Sequence, residues 1–244
     1  MKLTGFYDMH THILPAVDDG AVSLEMTRQM LQMAYDQGIR HIVATPHYIQ
    51  EYRRTDTTTL RQRCQLLYEE AARISPEMHV YLGNELYYAD STLEDVRAGR
   101  AFTLAGSDYI LIEFSVHVSW QDLYKGLRKG VDAGYRPILA HMERYECLYR
   151  GVDRLEELAA LGVYLQMNAD SVLGGLMDSR AAQCRRLISE GWIHLLGSDC
   201  HNVTSRPPRM LDAVQYLRKK KVPDEVLERI LFRNPQRVLA NKYI

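Results

Sequence analysis

Two histidines two residues apart, His10 and His12, stand in the stretch Asp8-Met9-His10-Thr11-His12 near the start of a 244-residue chain. On an extended strand that spacing sends both imidazoles to one face. Two neutral ring nitrogens on one face can hold a metal ion. A carboxylate follows at Asp19, in a stretch that Pro15 and Gly20 mark as loop. Further ligand-type residues are His47 after Thr45-Pro46, Glu85 after Gly83-Asn84, Glu113 after Leu111-Ile112, His141 after Ala140, and Asp199 and His201 in Ser198-Asp199-Cys200-His201. The set holds five imidazoles and four carboxylates and no thiolate. Mixed nitrogen and oxygen ligands suit Mn, Fe or Zn, not a closed cysteine-rich zinc site. One ion takes about four to six ligands, so nine imply two or three ions, with carboxylates able to bridge. Closely packed cations need anions, which in a hydrolase are hydroxide and phosphate. Arg144 and Arg206 lie close to ligands in sequence. A guanidinium pair there would clamp phosphoryl oxygens and steady charge on a leaving oxygen. Any one of these residues has a plain alternative: His47 as a core or capping histidine, Glu85 and Glu113 as strand-end charges, the arginines as surface ion pairs.

The elements that must position them favour the shared site. Seven short apolar runs rich in β-branched residues cover 6–12, 39–45, 79–83, 109–114, 137–141, 163–168 and 193–197. Between them lie amphipathic helical stretches at 24–37, 59–74, 120–133, 153–161 and 179–190, four of them followed at once by a glycine, at 38, 134, 162 and 191. The Met26, Met30, Met33 stripe reads as core packing, and the charges Arg61, Arg63, Glu69, Glu70 and Arg73 as a solvated outer face. Strand and helix alternate from end to end, which predicts parallel strands with helical crossovers. Six of the seven runs deliver a ligand-type side chain at or just past their carboxyl ends. In an α/β barrel those ends meet at one mouth.

Composition sets the outer bounds. Net charge is −1 with 46% hydrophobic and 25% charged residues, an ordinary globular balance for one domain spanning 1–244, with no electrostatic pull toward nucleic acid or anionic membranes. The opening residues carry no apolar signal segment, and no run approaches the roughly 20 apolar residues of a membrane span. Cys64, Cys147, Cys184 and Cys200 form no C-x-x-C pair and read as free thiols. The expectation is a cytoplasmic protein with no membrane insertion. No G-x-G-x-x-G follows the first run, which disfavours a dinucleotide fold.

Taken together, His10-Thr11-His12, Asp19-Gly20, Thr45-Pro46-His47, Gly83-Asn84-Glu85-Leu86-Tyr87-Tyr88, Leu111-Ile112-Glu113-Phe114, His141-Met142-Glu143-Arg144-Tyr145, Ser198-Asp199-Cys200-His201-Asn202 and Arg206-Pro207-Pro208 resemble the polymerase-and-histidinol-phosphatase (PHP) superfamily. Within it they resemble the manganese-dependent bacterial protein tyrosine phosphatases encoded with capsule and exopolysaccharide genes. The resemblance runs nearly the whole chain, to Asn234-Pro235. It implies a distorted (β/α)7 TIM-like barrel and three ions, Mn2+ foremost, with Fe or Zn able to fill one or more places. By the same resemblance His10, His12, Glu85 and Asp199 hold the first ion. Glu85, Glu113 and His141 hold the second, and Asp19, His47 and His201 the third. Arg144 and Arg206 would bind phosphate, and a metal-bound hydroxide would attack phosphorus directly. The implied substrate is phosphotyrosine on a cognate bacterial tyrosine autokinase. The one departure is Cys200 after Asp199, which puts no ligand in doubt.

Cys200 also begins a C-x5-R match ending at Arg206, the signature of cysteine-dependent tyrosine phosphatases. That chemistry needs a thiolate cradled by backbone N–H groups at a helix start. The intervening loop has no glycine, and Pro207-Pro208 follows the arginine, so the match reads as incidental. Two rivals share the same ligands: another PHP phosphoesterase, such as a histidinol-phosphate phosphatase, and a non-catalytic metal-bound interaction module. Tyr48, Tyr87, Tyr88 and Tyr145 lie beside ligands, as aromatic walls for a phenyl ring or as packing. Arg53 and Arg54 are expected on a peptide-binding rim.

Overall fold

The computed structural model describes residues 4–50, 52, 55–149, 151–175 and 177–244. The rim expected at Arg53 and Arg54 lies outside the described residues. The strands are β1 (Phe6–Thr11), β2 (Ile39–Ala44), β3 (His47–Tyr48), β4 (His79–Leu82), β5 (Glu85–Tyr87), β6 (Tyr109–Glu113), β7 (Arg136–Leu139), β8 (Tyr164–Asn168) and β9 (Leu195–Gly197). The helices are α1 (Leu24–Asp36), α2 (Thr57–Ile74), α3 (Thr92–Arg97), α4 (Trp120–Asp132), α5 (Asp153–Leu161), α6 (Ser179–Ser189), α7 (Leu211–Lys219), α8 (Asp224–Glu228) and α9 (Asn234–Leu239). All strand pairs are parallel, in the orders β1-β2-β4 and β3-β5-β6-β7-β8-β9.

Among the described residues nine strands stand where seven apolar runs were expected, because the second run (39–45) and the third (79–83) are each followed by a further short strand in a second half of the same wall. Pro46 has no N–H to give the ladder, so β2 ends before it and β3 begins after it. The third run ends at Gly83, and β5 begins after Asn84. A side chain at Gly83 would lie 2.7 Å from Leu104 Cδ2 and 3.2 Å from Leu104 Cα, so glycine lets the turn at Leu104–Gly106 pack there without a shift. The halves keep the same neighbours, since His41 to Ala44 align with His79 to Leu82 and His47 aligns with Glu85. The gap is sewn by Gly83 N donating to Ala44 O (2.8 Å) and Asn84 Nδ2 donating to Pro46 O (2.9 Å). At the other seam Asp199 N donates to His10 O (2.8 Å) and His12 N to Cys200 O (2.9 Å). The result is a distorted parallel barrel of seven runs ringed by helices.

Side-chain alternation separates two apolar layers. Along β6, Ile110 and Ile112 pack outward under the helices, with Leu127, Leu155 and Ile188. Tyr109 and Leu111 point inward, joining Met9, Val43, Ile138, Leu195 and Val238 in a plug. Val238 lies on α9, so the C-terminal helix supplies part of that plug. One expectation on the outer layer fails: Glu70 of α2 is not solvated. It is 6% exposed and accepts from Arg28 Nε (2.8 Å) and Nη2 (3.0 Å) of α1. The packing of α2 on α1 covers it, and a buried carboxylate needs that fork of donors.

β1 carries the device that aims the first ligands. Tyr7 and Met9 belong to the inner plug. Period two would then turn His10 and His12 outward. Asp8 aligns with Ile42 and Thr11 with Ala44, three steps against two, so β1 carries a bulge between them. A bulge resets which face the next side chains occupy. After it, His10 and His12 both face the barrel axis.

Candidate metal centre

All nine residues singled out by type and spacing come to the carboxyl-terminal mouth. His10 Nε2 and His12 Nε2 lie 3.2 Å apart. Glu85 sits centrally: its carboxylate is 3.2 Å from His10, 3.3 Å from His12, 2.9 Å from His47 and 2.9 Å from His141. Glu113 lies 3.4 Å from His141 and 3.7 Å from His47. Asp19 Oδ1 is 3.5 Å from His47 Nε2 and 3.9 Å from His201 Nε2. Asp199 Oδ1 is 3.4 Å from His12 and 3.7 Å from His10. Three compact ligand groups result: His12 with Asp19, His47 and His201; His10 with His12 and Glu85; and His47 with Glu85 and Glu113. Glu85 is shared between two groups, as the family resemblance implies, and His12 and His47 are each shared as well.

The donor set fits cations. Two imidazole nitrogens 3.2 Å apart face each other, and His47 Nδ1, Glu85 Oε2, His141 Nδ1 and His201 Nε2 are buried without an aligned hydrogen bond. Buried polar atoms left this way are costly unless a ligand satisfies them. The outer nitrogens, by contrast, are fixed. His10 Nδ1 donates to Gln166 Oε1 (3.2 Å), His12 Nδ1 to Asp18 Oδ2 (2.8 Å) and His201 Nδ1 to the Asp199 carbonyl (2.9 Å). Such anchoring selects the tautomer whose Nε2 lone pair points into the centre.

Three of the residues doing this escaped the reading by type and spacing. The Asp18 side chain is buried and also accepts from the backbone N–H of Gly20 (2.9 Å) and His47 (3.1 Å). Gln166 accepts from His141 N (2.7 Å), and Asn168 Nδ2 donates to Asp199 Oδ2 (2.8 Å). Gln166 and Asn168 end β8, the one run that appeared to deliver nothing; their i, i+2 spacing was the available signal. Gly197 is required here too, since a Cβ would sit 2.5 Å from His10 Cβ. His141 and Asp199 take left-handed φ of 31° and 52°, uncommon for side-chain-bearing residues and concentrated at functional sites.

Charge is balanced across the cluster. Burial works against ionised carboxylates, yet the His10, His12 and His141 rings hold Glu85 well below its usual range. Burial opposes His10 and His12 at Asp199 as well, and it too is held well down. On the imidazole side burial favours neutral rings, but Glu113 and Glu85 lift His141 to about 9, and Asp18, Asp199 and Glu85 lift His12 well above the usual histidine value. His201 goes the other way, to about 4, through burial and the neighbouring His12. Arg144 Nη2 and Arg206 Nη2 both reach Asp199 Oδ2, each at 2.7 Å, and each arginine stays about 40% exposed at the mouth (39% and 40%).

The tyrosines divide. Tyr48 is 1% exposed and donates to Asp95 Oδ2 (2.7 Å), and Tyr145 is fully buried with its hydroxyl accepting from Phe114 N (3.0 Å). Both are packing, since their hydroxyls are consumed inside the wall. Tyr88 stacks on Phe114 with centroids 4.8 Å apart. Cys200 is 1% exposed, and burial pushes its thiol up to about 12, the reverse of an activated cysteine nucleophile.

A parallel barrel whose mouth gathers imidazoles, carboxylates and two guanidiniums defines a metallohydrolase-type protein. The chain belongs to the capsular polysaccharide synthesis family CpsB/CapC, whose model matches residues 6–240. The tyrosine-protein phosphatase CpsB of Streptococcus pneumoniae is 31% identical over 242 residues, covering 97% of this chain and 99% of that protein. The tyrosine-protein phosphatase YwqE of Bacillus subtilis strain 168 is 31% identical over 240 residues, covering 97% and 92%. A crystal structure from the pair YwqE and CpsB, described as unique metal-dependent tyrosine phosphatases, matches with a TM-score of 0.87 at 28% identity, covering 98% of this chain and 96% of that one. Histidinol phosphate phosphatase of Lactococcus lactis shares the fold at a TM-score of 0.57 and 13% identity, covering 89% and 94%.

Proposed function

We propose that this chain is a metal-dependent protein tyrosine phosphatase that removes phosphate from phosphotyrosine on a bacterial tyrosine autokinase controlling capsule or exopolysaccharide synthesis. The observation that carries this reading is the convergence of nine imidazole and carboxylate side chains of ligand type and two arginines on one mouth. In this reading His10, His12, Asp19, His47, Glu85, Glu113, His141, Asp199 and His201 hold three ions, Mn2+ foremost, with Fe or Zn able to substitute. Bound ions supply Lewis acidity, which acidifies water and draws charge from phosphoryl oxygens.

The chain's own residues do the rest. Arg144 and Arg206, now converging on one Asp199 oxygen, turn their free donors to the phosphoryl oxygens and to charge growing on the phenol oxygen. Asp18, Gln166 and the Asp199 carbonyl keep three ring nitrogens aimed inward. Asn168 and both arginines fix the rotamer of Asp199. The four cysteines are free thiols, and no helix among the described residues is long and apolar enough to cross a membrane. Both facts suit action in the cytoplasm, facing a kinase's phosphorylated segment.

The test is phosphotyrosine peptide hydrolysis by protein of measured metal content, before and after chelation. Activity should vanish with the metal and return with Mn2+. Hydrolysis that persists in metal-free protein would end this reading. Histidinol phosphate should turn over at least about 100-fold less efficiently than the peptide, a gap of about 2.7 kcal/mol. Cys200→Ser should retain most activity, separating this chemistry from a cysteine nucleophile.

A further inference from the structure

On the Arg144 side of the centre lies a cavity of about 470 Å³ that the reaction does not use. Its size falls within the range of about 300–1,000 Å³ typical of pockets for organic groups. Val116, Met142, Leu148, Leu173, Ala181 and Leu187 line it. They come from the segments after β6, β7 and β8 and from α6. Arg144 also lines it, and the same guanidinium is 2.7 Å from Asp199 in the centre. A phosphate held by Arg144 therefore brings whatever flanks it to the cavity's edge.

The surface around the mouth is apolar in the same direction. Among the described residues the exposed large hydrophobics are Val22, Tyr52, Tyr68, Val116, Met177 and Tyr243. Four of these stand on the loops that follow β1, β3, β6 and β8 at the barrel mouth: Val22, Tyr52, Val116 and Met177. Val116 is itself part of the cavity wall. Met177 is fully exposed on the loop between two lining residues, Leu173 and Asp178. Val116 and Met177, exposed apolar side chains at the cavity, suit contact with a macromolecule. A small polar phosphate ester would gain nothing from them.

We propose that this cavity is a specificity pocket for an apolar side chain of the phosphorylated polypeptide, close in sequence to the phosphotyrosine. It rests on the tyrosine phosphatase reading. The separation is about one to three residues, the reach of an extended chain rising about 3.3 Å per residue. The charged lining residues are Glu143, Glu146 and Asp178 with Arg144 and Arg180, a slight excess of acids that disfavours an acidic occupant.

The experiment compares kcat/KM of the metal-loaded full-length protein on phosphotyrosine peptides carrying Leu, Phe, Gly or Asp at successive flanking positions, with phenyl phosphate as the small substrate. At one position Leu or Phe should exceed Gly by about tenfold, mostly through KM, and Asp should fall below Gly. Ala181→Leu narrows the cavity and Val116→Asp charges its exposed edge. Both should erase that preference and leave phenyl phosphate turnover within about twofold. A flat response across the peptides, or variants that lower phenyl phosphate turnover as much as peptide turnover, would overturn the pocket. Should Ala181→Leu fail to fold, the exposed Val116→Asp still decides. Failure of the phosphatase reading looks different: wild-type protein would hydrolyse neither phenyl phosphate nor any peptide with metal supplied.

Discussion

At the amino-terminal end of the barrel His41 lies flat against Tyr7, with ring centroids 3.8 Å apart and planes 2° from parallel, and stacks on His79 at 4.8 Å. Burial and the neighbouring His79 push it down to about 4. His194, near the same end, is also pushed to about 4 by burial and Arg229. At the carboxyl end His12 and His141 are buried and His47 is half-buried, yet acidic neighbours hold all three above the usual histidine value. Burial is common to both ends; the carboxylates are not. His41 at the lower end is a flat, neutral packing ring and His194 a neutral acceptor, whereas His12, His47 and His141 above sit among carboxylates, with His201 an upper ring pushed the same way as the lower pair. The barrel thus separates stability from chemistry along its axis.

The sharpest way to break that division is at Glu85, which contacts four imidazoles. Glu85→Gln should lower kcat at least about 1,000-fold, or about 4 kcal/mol in the barrier, and reduce bound metal. The fold should survive, since the plug below is untouched. Metal analysis, circular dichroism and turnover on one preparation check all three. Full metal occupancy with full activity would remove Glu85 from the centre.

Leu111 tests the lower half. It is 1% exposed within the inner plug, so Leu111→Ala should cost about 2–5 kcal/mol of stability by denaturant titration. Turnover per folded molecule should stay within about twofold of wild type. A large loss of kcat with little loss of stability would mean that the halves are not separate.

Arg144 and Arg206 sharpen the upper half. If each guanidinium meets phosphate and not the ions, as proposed, replacing either with Ala should lower kcat/KM about 100-fold with metal content unchanged. Ligand residues and clamp residues then differ by one measurement, bound metal.

How far this division could be read from residues alone varies by element. The seven runs and five of the helices were legible from apolar periodicity and closing glycines. The nine side chains that meet at the mouth were legible because histidines and carboxylates recur at the carboxyl ends of the runs. The bulge in β1 was not, because His10 and His12 share a face whichever way the strand turns. Only the alignment of Asp8 with Ile42 and Thr11 with Ala44 decides it. Asp18 and Asp19 were indistinguishable as neighbours. Folding sends Asp18 to the His12 ring and the His47 N–H, and Asp19 to the edge between His47 and His201. Tyr48 and Tyr145 carried the right chemistry for a ring-binding wall, but Asp95 and the Phe114 N–H use their hydroxyls inside the fold. Glu70 looked solvated because Arg28, its partner, lies on a different helix.

The smallest expected effect concerns the neutral imidazole at the lower end. Leu165 N donates to His194 Nδ1 (3.1 Å), so that nitrogen must be unprotonated in the folded state. An unfolded histidine titrates near 6.5, and the folded one near 4. With the folded value depressed, the unfolded chain binds the proton first. The contribution is complete above about pH 6.5 and drains away as pH falls toward about 4. Between pH 7 and 5 this site should account for about 1–2 kcal/mol of lost stability. His194→Asn keeps an acceptor near Nδ1 without titrating, so it should flatten the fall by that amount. Denaturant unfolding of metal-free wild type and variant at both pH values measures it, free of changes in metal loading. An unchanged slope would place the acid sensitivity elsewhere, with His41 the next ring to replace.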